Sequence, residues 1–450
     1  MVFYSDLDGG IFRNGRNLIP NWTEGIPLRE AIMPNPTTRG KYVPRHSEAR
    51  VREALTDTRI VAIVGPRQSG KTTLARRIAA DDGRPFISLD DDQNRRFAAD
   101  DPIGFVRGNP TAVIDEIQRA PALILAIKQA VDEDARPGRY LITGSVDLFR
   151  AAISPDSLAG RIETIELLPF SQAEITRSGV PGFLDRAFSG DFPNLAAADA
   201  TTDLTQCVLA GGFPEALSRP LPSRRANWLR AYAGSLAERD VSDIASVGNR
   251  DAMARLLDHA AAAAGQLLNM SGIGARLGVD GKTVDRWLAL FEHMFLVRRV
   301  YAWHRNDLKR LVKRPKLQFL DSGLLAALRR IDSAAIAADR QQLGPLLECF
   351  VYSELAKAAT LVDHPTFFSH YRDKDRVEVD LVLERLPNAI VGIEVKAGAT
   401  AHPGDFKGLA RLREATGSRF ACGIVLHDGD RIQQAGPKLF AMPVSALWKA

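Results

Sequence analysis

Five short apolar runs, rich in β-branched residues, alternate with helix-like segments in the first third of the chain. The runs cover residues 60–64, 85–89, 112–114, 140–143 and 162–167. Buried parallel strands read as continuous apolar stretches, and intervening helices cover both faces of such a sheet. The pattern predicts an α/β unit with a parallel sheet over residues 45–171. Residues 1–44, rich in Gly, Pro and Asn, predict an irregular extension.

The hydrophobic pattern changes character after this unit. Residues 172–265 read as mainly helical, with a Gly-Gly-Phe-Pro break at 211–214, and predict a helical lid beside the first unit. Residues 266–330 predict two helices joined by a tight turn, followed by two strands with a basic loop between them. The helices are expected at 270–277 and 282–291. This order is typical of a winged helix-turn-helix.

Period-two alternation appears near the end of the chain. Residues 376–384, RVEVDLVLE, alternate polar and apolar side chains as a half-buried strand does, and residues 389–396, AIVGIEVK, form a second strand. An amphipathic helix at 344–355 precedes them. Residues 331–450 are therefore predicted to form a second α/β domain, with the two strands paired as a hairpin centred near Pro387.

A glycine-rich loop follows the first strand. Residues 65–72, GPRQSGKT, fit GxxxxGK[ST] at every fixed position and lead into a helix. Glycines let backbone N–H groups turn onto a phosphate, and the helix N-terminus adds its positive dipole end. Lys71 is expected to reach the phosphates of ATP, and the Thr72 hydroxyl to ligate Mg²⁺. The predicted nucleotide-binding residues are Gly65, Pro66, Arg67, Gln68, Ser69, Gly70, Lys71, Thr72, Thr73 and Ser145.

The later strands of the first unit end in further polar residues. In TAVIDE, residues 111–116, Asp115 is placed to hold Mg²⁺ and Glu116 to orient the attacking water. Ser145 follows the next strand, where a sensor of the γ-phosphate is expected. Arg161, in SLAGR, is either a catalytic arginine finger or sensor, or an ordinary surface arginine. Glu116 distinguishes a hydrolase from a protein that only binds nucleotide.

Composition excludes several classes of protein. The 450 residues include 45% hydrophobic and 25% charged residues, which are ordinary values for a globular chain of more than one domain. Three widely spaced cysteines give no disulfide framework or zinc ribbon and suit a reducing compartment. Because no signal peptide or membrane-length apolar run is found, we expect a cytoplasmic protein without membrane contact. The sequence leaves open whether the protein forms a homo-oligomer.

Positive charge concentrates on the predicted winged helix. Between residues 281 and 316 the sequence has ten Lys and Arg against three acidic residues, whereas the whole chain has a net charge of +5. A basic face on a helix-turn-helix is expected to contact a nucleic-acid backbone, with DNA the favoured partner. The alternatives are a winged helix that docks only proteins and a run of charge that is merely solvated.

The predicted C-terminal hairpin sets Asp380 opposite Glu394. Facing like charges are unfavourable without a cation, and a divalent metal with oxygen ligands fits that position. Lys396 projects from the same face and can position a metal-bound water, while Glu348 completes the set from the preceding helix. These four residues predict a phosphodiester-cleaving site dependent on Mg²⁺ or Mn²⁺, with Asp380 and Glu394 as metal ligands. The alternative is a polar strand pair with a local ion pair.

In the order of its motifs the chain resembles prokaryotic AAA-type ATPases with a C-terminal domain of restriction-endonuclease-like fold, usually described only as ATP-binding proteins of unknown function. The matching pieces span most of residues 42–400 and are GPRQSGKTTL, VIDEIQRAP, LITGS, LAGR, LLPFSQAE, GGFPEAL, LDSGLLAAL, GPLLECFVYSEL, EVDLVLE and GIEVKAG. The resemblance implies binding of ATP and Mg²⁺ at Lys71, Thr72 and Asp115, with Glu116 for hydrolysis. It also implies a PD-(D/E)xK-type set at Glu348, Asp380, Glu394 and Lys396. Residues 1–41 fall outside the pattern.

The expected fold is α/β, with a P-loop parallel sheet, a helical lid, a winged helix and a C-terminal nuclease-like domain. Three functions remain open. The first is an ATP hydrolase that acts on nucleic acid and carries its own metal-dependent nuclease domain. The second is a nucleotide-switched regulator or DNA-binding ATPase with an inactive nuclease-like domain. The third is a ring motor that uses the degenerate nuclease fold as a clamp.

Overall fold

The computed structural model divides the chain into a short first unit, Met1–Ile32, and a large second unit, Met33–Ala450. The described residues all belong to the second unit and comprise 42–144, 158–192, 203–236, 250–304 and 314–449. The predicted extension at 1–44 lies almost wholly outside them, as does Ser145.

Five parallel strands form the first sheet, in the order β2-β3-β4-β1-β5. They are β1 (Ile60–Val64), β2 (Phe86–Ser88), β3 (Ala112–Asp115), β4 (Tyr140–Gly144) and β5 (Ile162–Glu166). Successive residues of β1 pack into different apolar clusters, because both faces of the sheet are covered. The accompanying helices are α1 (Ser47–Asp57), α2 (Lys71–Asp81), α3 (Asp92–Asp100), α4 (Pro102–Gly108) and α5 (Leu123–Glu133). The predicted parallel sheet is confirmed, with strand ends within one residue.

Helices dominate the middle of the described chain, in agreement with the sequence pattern. The first group is α6 (Gln172–Thr176), α7 (Phe183–Ser189), α8 (Leu204–Ala210), α9 (Pro214–Leu217), α10 (Pro222–Ser235) and α11 (Arg250–Ala262). Next come α12 (Met270–Leu277) and α13 (Gly281–His293). Gly278 ends α12 in a left-handed conformation, and the Asp280 carboxylate caps α13 by accepting a hydrogen bond from Thr283 N. The two helices and the turn between them therefore form where the sequence predicts them.

The second sheet has eight strands in the order β12-β13-β11-β10-β9-β8-β6-β7. They are β6 (Val297–Ala302), β7 (Lys316–Phe319), β8 (Thr366–Arg372), β9 (Glu378–Arg385), β10 (Ala389–Lys396), β11 (Phe420–His427), β12 (Gln433–Gly436) and β13 (Leu439–Pro443). The remaining helices are α14 (Ser322–Arg329), α15 (Ser333–Ala338), α16 (Leu343–Ala359), α17 (Lys407–Thr416) and α18 (Ala446–Lys449).

The two strands predicted as a separate wing are part of this second sheet. β6 and β7 pair in an antiparallel hairpin, and Tyr301 and Ala302 of β6 pair in parallel with β8. The sequence pattern assigns these two strands to a winged helix at 266–330 and the following chain to another α/β domain at 331–450. Instead, the boundary expected at residue 330 falls between strands of one hydrogen-bonded sheet.

The register of the β9–β10 hairpin matches the prediction. Ala389 pairs with Arg385, and the pairing continues in step to Ile393 opposite Leu381. The next positions in the same register are Asp380 and Glu394. Period two and a short turn fix the register, because a slip of one residue would expose the buried face.

One large apolar cluster runs through the second unit, from Ile60 in β1 to Trp448 in α18. It includes side chains from both sheets and from the helices between them. The predicted domains therefore share a continuous core rather than meeting as separate bodies. Within the described parts of the chain, the helices are too short or too polar to cross a membrane.

Candidate functional site

The glycine-rich loop joins the end of β1 to the start of α2. Gly65 has a φ of 154°, and a Cβ there would meet the carbonyl oxygen of Leu167 at 2.2 Å. Gly70, with a φ of 98°, directly precedes Lys71, the first residue of α2. Both backbone conformations favour glycine. The two fixed glycines of the motif are thus required by the path of the chain.

Lys71 is the buried cation of this loop. Its amino group donates hydrogen bonds to the carbonyl oxygens of Gly65 at 3.0 Å and Pro66 at 2.9 Å. Burial lowers the pKa of Lys71, while the nearby carboxylates of Glu116 and Asp115 act in the opposite direction. The structure therefore brings together the lysine and the two carboxylates that the sequence predicts.

Asp115, at the end of β3, accepts hydrogen bonds from several hydroxyl groups. Thr72 Oγ1 donates to it at 2.9 Å and Thr143 Oγ1 at 2.6 Å, and Ser88 Oγ lies 3.4 Å away. Thr72 and Asp115 supply the hard oxygen donors that Mg²⁺ prefers, and this ion usually binds through few protein groups together with phosphates and water. The donor set therefore fits Mg²⁺ delivered with a nucleotide.

Two of these hydroxyl residues, Ser88 and Thr143, are absent from the set predicted from sequence. Ser88 pairs with Asp115 in register, and Thr143 lies near the end of β4 on the other side of β3. The sequence does show a hydroxyl residue near the end of each of these apolar runs, and that feature could have indicated both as site residues. The strand order that brings both beside β3 cannot be read from either run alone.

Glu116 follows β3 in a left-handed conformation, with a φ of 58°. Its backbone N–H donates to Thr143 Oγ1 at 3.1 Å, and its carboxylate accepts a hydrogen bond from Gln118. Burial raises the pKa of Glu116, and the Lys71 charge opposes that rise. A non-glycine residue in this conformation is uncommon and indicates that neighbouring contacts hold it in place.

A cavity of about 450 Å³ lies over the loop. One side consists of residues from the loop and from the end of β3, including Lys71, Thr72 and Glu116. Pro214, Glu215 and Ser218 form another part of the lining. The segment that follows the Gly-Gly-Phe-Pro break thus closes one side of the predicted nucleotide site, which is where a lid would contact it.

Arg45 and Tyr232 brace the loop from outside the motif. Arg45 donates to the carbonyl oxygen of Ser69 at 2.7 Å and forms a buried ion pair with Glu174 at 3.0 Å. The Tyr232 hydroxyl donates to the carbonyl oxygen of Arg67 at 3.0 Å. Sequence reasoning missed both residues, because their contacts join positions far apart in the chain and carry no local pattern.

The Arg161 side chain does not reach the glycine-rich loop of the same chain. It immediately precedes β5, whose first residue pairs with Ile60 at the start of β1, whereas the loop follows the other end of β1. Its guanidinium forms an ion pair with Asp132 at 2.5 Å. Within one chain Arg161 therefore lies away from the loop, and its catalytic role stays a prediction. A role as an arginine finger requires a second subunit.

The C-terminal carboxylates lie together at the end of the β9–β10 hairpin. Asp380 Oδ2 accepts a hydrogen bond from Val395 N at 3.0 Å, and Lys396 donates to Glu394 Oε1 at 2.7 Å. Glu394 Oε2 is buried and has no hydrogen-bond partner among the described residues. The structure thus brings Asp380, Glu394 and Lys396 to one place, as the sequence predicts.

Glu348 joins this group through residues of β7. Gln318 Nε2 donates to Glu348 Oε1 at 2.6 Å, and Lys316 Nζ lies 3.4 Å from both Glu348 Oε1 and Asp380 Oδ1. Burial raises the pKa of Glu348 to about 7, and the Asp380 charge adds to this rise. Burial and Asp380 likewise raise the pKa of Glu394 to about 7. The four predicted residues therefore form one electrostatic cluster, in which Lys316 is an unpredicted cation.

The carboxylate pair fits a divalent metal in part. Glu394 Oε2 is an oxygen donor that lacks a partner, and Asp380 belongs to the same cluster. Over the described ranges, His, Cys, Asp and Glu form no group of three able to hold a metal ion. A metal at Asp380 and Glu394 would therefore need further ligands from water or phosphate, which Mg²⁺ commonly uses.

The predicted basic surface is smaller than the sequence count implies. Lys316 is buried, Arg298 is paired with Glu166 at 2.8 Å, and Arg299 is paired with Glu292 at 2.5 Å. Lys316 therefore does not belong to an exposed basic surface, whereas Arg298, whose side chain is 38% exposed, and Arg299 are already paired with carboxylates. The exposed basic residues of this stretch within the described chain are Lys282, Arg286 and Arg314. Four others, at 305, 309, 310 and 313, lie outside the described residues.

Three family models match successive parts of the chain. Residues 57–176 match the AAA domain, residues 201–335 match a domain of unknown function (DUF8612), and residues 343–447 match another (DUF4143). Of these three models, only the AAA model describes a domain of known biochemical class. The sequence prediction of an AAA-type P-loop ATPase domain is confirmed.

The chain is also similar to proteins of mycobacteria and, more distantly, to solved structures. It is 29% identical over 356 residues to uncharacterized proteins of Mycobacterium tuberculosis (Rv2008c) and Mycobacterium bovis (Mb2031c), covering 79% of this chain and 74% of each relative. The Walker-type ATPase PABY2304 of Pyrococcus abyssi has a TM-score of 0.39 and 17% identity, covering 65% of this chain and 97% of that one. The McrB AAA+ hexamers with bound McrC of Thermococcus gammatolerans have a TM-score of 0.22 and 11% identity, over 62% and 74%. Scores this low indicate only a distant likeness.

Proposed function

We propose that this AAA-type P-loop ATPase acts on nucleic acid, and that its C-terminal carboxylate cluster is a metal-dependent phosphodiesterase site. The observation that carries the second part is the half-buried pair Asp380 and Glu394, in which one buried oxygen of Glu394 has no partner among the described residues. The first part rests on the AAA domain and on the contact between Thr72 and Asp115.

In the nucleotide site, each residue has a separable task. Lys71 and the backbone N–H groups of the loop bind the phosphates of ATP, and Thr72 with Asp115 holds Mg²⁺, which offsets the phosphate charge. Glu116 orients the attacking water, and Thr143 keeps Glu116 in place through its backbone N–H. The segment around Pro214 lines one side of the cleft.

In the C-terminal site, Asp380 and Glu394 hold Mg²⁺ or Mn²⁺. A bound divalent ion there would offset the charge of a phosphodiester and supply an activated water. Lys396 is held at 2.7 Å from Glu394 and orients the water or the phosphate. Glu348 is fixed by Gln318 and adds negative charge to the cluster.

The exposed basic residues between 281 and 316 support a nucleic-acid contact. Neutralising Lys282, Arg286 and Arg314 together should flatten the plot of log K against log[salt] by up to about 0.9 for each lost phosphate contact. Replacing Arg276, a basic residue of α12 outside this stretch, provides the control. An unchanged slope in the triple variant would move the interface to another surface.

The experiment that tests the whole proposal is phosphate release from ATP with and without DNA or RNA. A motor or a nuclease should be stimulated severalfold by its nucleic acid, and Glu116→Gln should lower both the basal and the stimulated rate by about 10²–10⁴-fold. If no nucleic acid alters the rate of the wild-type protein, the proposed coupling is wrong.

A second candidate is a nucleotide-switched regulator whose nuclease-like domain does not cleave. The position of Lys316, close to both Glu348 and Asp380, favours it, because an internal cation already balances two of the carboxylates. Such a switch should hydrolyse ATP slowly, hold nucleotide tightly and show no cleavage with any metal. The phosphate-release and cleavage measurements together separate the two candidates.

A further inference from the structure

The short strand β7 carries two polar side chains into the interior. Its residues Lys316, Leu317, Gln318 and Phe319 are all buried. Alternation along a strand puts Lys316 and Gln318 on one face and the two apolar residues on the other. Burial of an ammonium group is costly unless a partner compensates it. The partners of Lys316 and Gln318 are the carboxylates of the C-terminal cluster.

The geometry around Lys316 is that of a shared counter-ion. Its Nζ atom lies 3.4 Å from one oxygen of Glu348 and 3.4 Å from one oxygen of Asp380. The Lys316 side chain is 6% exposed. Gln318 adds a neutral donor to the same oxygen of Glu348. A single positive charge therefore lies between two carboxylates predicted to share a metal-dependent site.

The backbone holds Lys316 from both sides. Val300 of β6 pairs with Lys316 on one side of β7. On the other side, Leu317 O accepts a hydrogen bond from Gly265 N at 2.8 Å, and Pro315 O accepts one from Leu268 N at 2.8 Å. A Cβ at Gly265 would also meet Glu348 Oε2 at 3.0 Å, so this backbone packs directly on the carboxylate. These backbone contacts fix the position of Lys316 beside the carboxylate cluster.

We propose that Lys316 is a built-in counter-ion of the cluster, which competes with a divalent metal ion for Glu348 and Asp380. This inference rests on the proposed function, since it concerns metal binding at the same site. A metal ion would then bind both Asp380 and the unpartnered oxygen of Glu394 only when the ion pair between Lys316 and Asp380 is broken. Lys316 thereby sets the metal concentration at which the site is loaded.

The test is titration of the full-length protein with MnCl₂, without nucleotide, by isothermal titration calorimetry and electron paramagnetic resonance of free Mn²⁺. All proteins carry Asp115→Asn to remove the carboxylate of the nucleotide site. Lys316→Met keeps the length of the side chain and removes its charge. Lys282→Met, on the exposed surface of α13, makes the same change in net charge and serves as the matched control.

Lys316→Met should lower the Kd for Mn²⁺ by at least about tenfold, because one unit charge at this distance interacts strongly with the carboxylates. Lys282→Met should leave the Kd within about twofold, since the distance and solvent screen its charge. Adding Asp380→Asn to Lys316→Met should remove the gain. An unchanged or higher Kd for Lys316→Met overturns the inference, as does tight binding that survives Asp380→Asn.

A measurement on the unmutated chain covers the case in which Lys316→Met fails to fold. Acetylation of lysines, read by mass spectrometry, should increase at Lys316 when Mn²⁺ is added and stay constant at Lys357, which pairs with Glu354 elsewhere on α16. Equal labelling of Lys316 with and without Mn²⁺ overturns the inference. Neither readout uses nucleic acid, so the failure of cleavage and the failure of this inference are distinguishable.

Discussion

At the scale of single residues, three buried cations lie at the two predicted sites or directly beside them. Lys71, Arg45 and Lys316 are each at most 7% exposed, and each is held by carbonyl or carboxylate oxygens. Because an unpaired buried charge is strongly unfavourable, such residues persist only where their partners are fixed. Their partners are the phosphate-binding loop and the C-terminal cluster.

Two substitutions separate nucleotide binding from turnover. Lys71→Ala should weaken ATP binding at least about a hundredfold, because charge-assisted hydrogen bonds to phosphate are lost. Glu116→Gln should bind ATP normally and lower kcat by about 10²–10⁴-fold, as expected when a residue that directs proton transfer is removed. Calorimetry and phosphate release measure the two effects. Glu133→Gln, an exposed carboxylate of α5, is the control, and a wild-type rate for Glu116→Gln would contradict the assignment.

At the scale of elements, residues 167–174 connect the two predicted sites. Arg45, which contacts the phosphate-binding loop, also pairs with Glu174. Gln172 N donates to Glu354 at 2.8 Å, and Lys357 donates to the carbonyl oxygen of Phe170 at 3.0 Å. Glu354 and Lys357 lie on α16, the helix that also carries Glu348. This contact network gives the LLPFSQAE segment a structural role that its local sequence does not reveal.

A second buried contact at this scale joins the Gly-Gly-Phe-Pro break to α14. The Asp321 carboxylate accepts hydrogen bonds from Gly212 N at 2.7 Å and Leu324 N at 2.8 Å. Asp321→Ala should destabilise the fold by about 2–5 kcal/mol, because two buried donors lose their acceptor. Asp332→Ala removes an exposed cap of the same kind from α15 and should cost about 1 kcal/mol. Urea unfolding compares the two, and equal losses would contradict the structural role of Asp321.

The sequence predicts the local features of these elements better than it predicts which distant elements they pair with. The register of the β9–β10 hairpin follows from period two and a short turn, so it could be predicted. The addition of β6 and β7 to the second sheet depends on pairing with β8, more than sixty residues later in the chain. The charge pattern therefore assigns Lys316 to a basic surface, although this residue binds two distant carboxylates. Burial of a charged residue cannot be read from a count of charges.

At the scale of the whole molecule, one apolar core crosses the domain boundaries predicted at residues 171, 265 and 330. The Arg298–Glu166 pair links β6 of the second sheet to β5 of the first at 2.8 Å. The ATPase sheet and the C-terminal sheet are therefore parts of one packed body. These contacts join the sheet that carries the glycine-rich loop to the second sheet.

This shared core also contains all three cysteines. Cys207, Cys349 and Cys422 are buried, and burial raises the pKa of Cys207 and Cys422 to about 12. Because the thiolate is the reactive form, none should react with a thiol reagent in the native protein within minutes. All three should react in concentrated urea. Rapid modification of the native protein would show that this core opens readily.

We propose that the C-terminal cluster cleaves phosphodiesters and depends on a bound metal to do so. Labelled single- and double-stranded DNA and RNA, incubated with Mg²⁺ or Mn²⁺ with and without ATP, test it directly. The wild-type protein should cleave at least one substrate and lose this activity in EDTA. Asp380→Ala should abolish cleavage while ATP hydrolysis continues, and Asp375→Ala, an exposed carboxylate just before β9, should change neither. Cleavage by Asp380→Ala at the wild-type rate, or no cleavage by the wild-type protein with any metal, would contradict the account.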